Sequence, residues 1–115
     1  MWASIMDEII SQEPALSVRR TLDAKLYILN RWNKTHDTPI DESAVMLFLC
    51  DERRSGLTDE QRAFAKDGKA TIYAKYRSAV FRLFLYQEML QSHQISGPED
   101  FFRVLSTPDI LQAAG

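Results

Sequence analysis

Apolar residues in the second half of the chain recur with a helical period. Ile72, Tyr76, Ala79, Leu83, Tyr86 and Leu90 follow a 4-3-4-3-4 spacing, the a/d pattern of helices packed at shallow angles. The run is under three heptads, which predicts a helix within a bundle rather than a free coiled coil. Val18, Leu22, Leu26, Leu29 and Trp32 form a second stripe. Trp2, Ile5 and Ile9, with Met6 and Ile10 beside them, form a third. These patterns predict helices over 2–12, 17–34, 39–54, 58–92, 98–105 and 108–113. The fold class that follows is all-α: a compact orthogonal or bundle-like domain of about five to six helices over 1–115, with a long central helix near 69–92.

The polar punctuation agrees with this division. Thr38-Pro39-Ile40-Asp41 offers a threonine N-cap and a proline at the first helical position, where its missing N–H costs nothing. Thr58-Asp59-Glu60-Gln61 reads as a capping box, with two acids at the positive end of the helix dipole. Gly97-Pro98-Glu99-Asp100 and Thr107-Pro108-Asp109 are two further starts. Glu13-Pro14 separates the first two helices, Asn33 to Thr38 is a polar connector, and Ser55-Gly56 ends the third helix. Glycine at Asp67-Gly68 marks a place where the long helix is open to interruption.

Two stretches break the one-stripe rule. Ala44 to Cys50 and Ala79 to Tyr86 are apolar almost all round the helix, and such a helix wants to be surrounded. A short apolar run such as Val45 to Cys50 also fits a buried strand. The helix formers Glu42, Ala44, Met46 and Leu47 favour helix, as does the lack of a second strand to pair with it. The chain therefore carries more apolar helix than its own interior readily hides, and one excess face is expected to meet another protein or a second copy. Leaving a Phe or Leu side chain wet forgoes roughly 1.5–3 kcal/mol. Tyr76, Leu83 and Tyr86 are assigned to the core, and Trp2, Ile5, Ile9, Phe48, Phe81 and Phe84 to an interface.

Composition narrows the function classes. The longest apolar run is far short of the roughly 20 residues that cross a bilayer, and the N-terminus has no basic stretch before its apolar residues, so it does not read as a signal peptide. The lone Cys50 excludes an internal disulfide and fits a reducing compartment; a cytoplasmic location is the expectation. Cys50, at the end of an apolar run, is expected to be a small buried hydrophobe. His36 and His93 have no histidine or cysteine at helical spacing, so neither a metal site nor another cofactor site is expected. The acid pairs at 41–42, 59–60 and 99–100 fall in first turns, where the dipole gives them structural work. Catalytic residues are not expected, and an enzyme reading would need converging carboxylates or Cys50 in a cleft.

The formal net charge is −2, with residues 58–94 mildly basic between mildly acidic ends, which disfavours strong non-specific nucleic-acid binding. The local alternative is a basic face of Arg53, Arg54, Arg62, Lys66, Lys69 and Arg77. Against it, a helix beginning with Asp59 and Glu60 turns negative charge toward phosphates. The leading expectation is a non-enzymatic helical interaction or regulatory module, self-associating through an apolar and aromatic face. A nucleic-acid-binding regulator is the alternative.

Overall fold

The computed structural model describes residues 2–106. Those residues form five α-helices and one 3-10 turn: α1 (Trp2–Ser11), α2 (Pro14–Thr35), α3 (Glu42–Cys50), the turn Glu52–Arg54, α4 (Asp59–Gln91) and α5 (Pro98–Leu105). The all-α class is therefore correct, and residues 45–50 are helix rather than strand. The expected helix at 108–113 lies outside the described residues. Two compact units divide the chain, one up to Arg77 and the other from Ser78 onward.

Local chemistry explains the boundaries. α2 begins three residues earlier than expected because Pro14 takes its first position, the place where proline is pre-organised. α3 begins later: Asp41, not Thr38, is the N-cap, and its carboxylate accepts from the Ser43 N–H at 2.9 Å. The Thr38 carbonyl is used elsewhere, accepting at 2.6 Å from the buried Trp32 indole N–H, a donor that needs a partner once enclosed. Ile40 and Val45 flank the Asp41 cap at N′ and N4 and share one buried cluster, as in a hydrophobic staple. α3 stops at Cys50, four residues early, where Asp51 turns extended and accepts from the Arg53 N–H. Gly56 then takes a left-handed φ of 68° before α4.

At Thr58 the predicted capping box is present in both directions. The Gln61 N–H donates to Thr58 Oγ1 and the Thr58 N–H to Gln61 Oε1, each at 3.1 Å. α4 runs for 33 residues without a break at Gly68. Its far end closes without glycine: His93 sits at φ 63°, its N–H donates to the Leu90 carbonyl and that of Gln94 to Met89, the bonding of a Schellman motif.

The first unit is cored by Ala24, Ile28 and Trp32 of α2, Val45, Phe48 and Leu49 of α3, Ile40 and Leu57 of the connections, and Ala65 and Ile72 of α4. The buried face of α2 is thus Arg20, Ala24, Ile28 and Trp32. The more regular stripe at 18–29 is a correction to the sequence reading, since Val18 and Leu26 are exposed. A β-carbon on Gly68 would lie 2.6 Å from Ile28 Cγ1, so the Ile28 side chain of α2 sits on α4 where only glycine leaves it room. His36 is more than a connector residue, for its ring stacks on Trp32 with centroids 3.6 Å apart and its Nε2 lies 3.3 Å from Glu60 Oε1. In the second unit, Met89, Ile95 and Phe101 form a smaller core flanked by Leu85, Tyr86, Leu90, Val104 and Leu105.

Gly68→Ala improves helix propensity by about 1 kcal/mol, yet the clash with Ile28 costs about 1–3 kcal/mol. Urea unfolding should therefore show a net loss of stability. His93→Gly should act the other way, relieving a left-handed residue and gaining about 1 kcal/mol.

Candidate functional site

The apolar excess of the sequence resolves unequally between its two stretches. In residues 44–50 most of the apolar surface is enclosed: Val45, Phe48 and Leu49 are buried and Ala44 and Met46 half-buried, leaving Leu47 and Cys50 exposed. Phe48, at 0% exposure, belongs to the core and cannot serve as a surface contact; the same helix period that turns Leu47 outward turns Phe48 in. Cys50 reverses the other way, ending α3 in solvent rather than inside.

Residues 78–86 contain no buried side chain at all. Leu83, expected in the core, is 59% exposed, and Phe84 is 43% exposed. Ala79 is exposed too, while Val80, Phe81, Leu85 and Tyr86 are half-buried. The eight residues of α5 pack on α4 at the level of Leu85 to Leu90, where Tyr86 meets Phe101 edge to face at 5.0 Å. Phe102, the neighbour of that buried Phe101, is 67% exposed. The pattern of α5 alone contained the hint, since Phe101 and Phe102 are adjacent and a single helix face cannot bury both. Among the remaining interface candidates, Trp2 and Ile5 are exposed on α1 and Ile9 is half-buried.

The six basic candidates lie around the first unit, and four are already engaged. Arg54 lies 3.8 Å from Asp51, Arg62 3.3 Å from Asp59, Lys69 3.1 Å from Glu52 and Arg77 3.4 Å from Asp7. Arg53 and Lys66 are exposed and hold none of the ion pairs among the described residues. Arg77 belongs to the most enclosed charged cluster of the unit. Asp7 of α1 receives Arg20 Nη1 of α2 at 2.9 Å as well as Arg77 of α4, and the Arg20 guanidinium stacks on Tyr73, 3.9 Å from the ring centroid. Arg20 was missed by the sequence reading because hydropathy alone marks it as exterior; only its carboxylate partner and aromatic neighbour make its burial tolerable.

The described residues contain no group of three or more His, Cys, Asp or Glu able to hold a metal ion, and no helix among them is long and apolar enough to cross a membrane. An open depression near His93 is lined also by Gln94, Ile95, Ser96 and Asp100. Its serine is not poised against the histidine: Ser96 Oγ donates to Asp100 Oδ2 at 2.5 Å, as does its N–H at 3.1 Å. These bonds hold the Asp100 carboxyl below its ordinary range and secure the start of α5.

Tyr76 of α4 donates to Asp23 of α2. Burial, reinforced by that carboxylate, pushes its phenol above the usual tyrosine range. The folded state thus favours the protonated form. Its stabilising contribution should be full below about pH 10, vanish as pH rises through the folded value, and be absent in Tyr76→Phe; urea unfolding across the alkaline range checks this. Asp7→Ala should cost about 2 kcal/mol, less than a fully enclosed pair because Asp7 itself is part-exposed, and thermal melting measures it. Among known proteins, no family model, no curated protein and no solved structure matches this chain.

Proposed function

We propose that this chain is a non-enzymatic, self-associating protein-interaction module that docks through the apolar face α4 presents at Leu83 and Phe84. The observation that carries the reading is that a stretch apolar nearly all round its helix, 79–86, holds not one buried side chain. A Leu and a Phe left in water each forgo up to roughly 1.5–3 kcal/mol, and phenylalanine is among the residues enriched at interface cores. Arg82 and Glu88 flank them in the exposed part of the helix, supplying the polar rim. A second copy is the favoured partner, since a net charge of −2 sets little repulsion between copies and gives a strongly charged partner little to recognise.

The nucleic-acid reading has less support. Four of its six cations already hold carboxylates, and each would have to exchange that partner for a phosphate, which diminishes the gain from every contact.

Sedimentation equilibrium at micromolar concentration should show association by the native chain. Leu83→Glu with Phe84→Glu should shift it to monomer with an unchanged helical circular-dichroism spectrum, because neither side chain is in the core. A native chain that stays strictly monomeric overturns the reading.

A further inference from the structure

The geometry points to a second mode of contact between copies, in which α1 of one chain seats in the α2–α4 site of another; from the reading above it takes only the identity of the partner. In the closed chain α1 is held by Met6 and Ile10, both buried, and by Asp7 under Arg20 and Arg77. The two arginines that grip Asp7 stand on α2 and α4, so they are supplied wholly by the rest of the chain. Such a site accepts any copy of α1 equally well.

Two observations make the exchange specific. The site requires an anion. The Arg20 side chain is 7% exposed, its one hydrogen bond among the described residues goes to Asp7, and its Nε is enclosed without a partner. Two guanidinium groups face a single carboxylate, so a helix lacking Asp7 leaves buried positive charge uncompensated. The second observation is the hinge. Only Gln12 and Glu13 join α1 to α2, both exposed, and Pro14 follows at once. A connection this short lets α1 leave by a change at a few solvent-facing dihedrals, the situation in which helices are traded between protomers. Closed and exchanged forms then contain the same contacts at Asp7, Met6 and Ile10, and concentration sets the balance between them.

The test uses full-length chains carrying Leu83→Glu, which disables the α4 face. One chain adds Asp7→Lys, so that its own α1 is repelled by Arg20 and Arg77. A second, isotopically heavy, adds Arg77→Glu, which weakens its own site while leaving Asp7 intact. Mixed together, the second chain's α1 finds a native site on the first, and the lysine introduced on the first chain's α1 finds the glutamate introduced into the second chain's site. Native mass spectrometry should show heterodimer roughly tenfold above either homodimer, a difference of about 1.4 kcal/mol. As a variant with native charges, deletion of Gln12 and Glu13 in the same Leu83→Glu background prevents α1 from folding back and should give dimer at concentrations where the parent is monomeric. No heterodimer on mixing, together with a hinge-deleted chain that is monomeric, overturns the exchange. The effect of Leu83→Glu on the native chain separately decides the fate of the α4 face.

Discussion

The first unit depends on the seating of the Ile28 side chain of α2 against Gly68 of α4. Where Gly68 meets Ile28 there is no room for even a methyl group, and the small side chains Ala24 and Ala65 are fully enclosed in the same cluster. Larger residues fill the cluster beside this contact, where Trp32 is met edge-on by Phe64 at 5.2 Å and Phe48 arrives from α3. The contact also explains why a glycine, unfavourable in an isolated helix, interrupts nothing in α4: tertiary packing outweighs the roughly 1 kcal/mol of lost propensity.

The same constraint shows what was legible in the sequence. Helix type and number could be read, as could the Thr58 cap and the Pro98 start, because they depend on residues a few positions apart. The face that α2 buries could not. Its apolar stripe at Val18, Leu22 and Leu26 is more hydrophobic than the face chosen, Arg20, Ala24, Ile28 and Trp32. Gly68 leaves room for the Ile28 side chain, and a carboxylate 13 residues away along the chain lets an arginine sit inside. Neither fact is written in local periodicity. The misplaced start of α3 has a similar origin, since the Thr38 carbonyl was claimed by an indole whose burial the local pattern of 38–41 does not reveal.

At the two apolar stretches the sequence could not tell which side chains folding would leave exposed: Phe48 is buried and Phe84 is not. Residues 44–50 and 79–86 look alike as strings, but Val45, Phe48 and Leu49 join a buried cluster with side chains of α2 and α4, while among the described residues α5 packs against Leu85 and Tyr86 of the second. Leu83 fits the a/d spacing of α4 as well as Leu90 does, yet Leu90 has α5 beside it and Leu83 has no buried neighbour in its own stretch. Periodicity states which side chains share a face; the length of the opposing element states how many of them are covered.

Charge, too, bears on the docking mode proposed above. The basic residues of 53–77 are spread along sequence as if to form a patch, but folding places a carboxylate beside Arg54, Arg62, Lys69 and Arg77. Surface pairs of this kind add little stability, typically under about 1 kcal/mol each, and their larger consequence is on the field around the molecule, which they cancel locally. A surface whose cations are matched in this way steers a polyanion weakly. In the proposed self-association, the contact at Leu83 and Phe84 would then draw on dehydration more than on attraction at a distance.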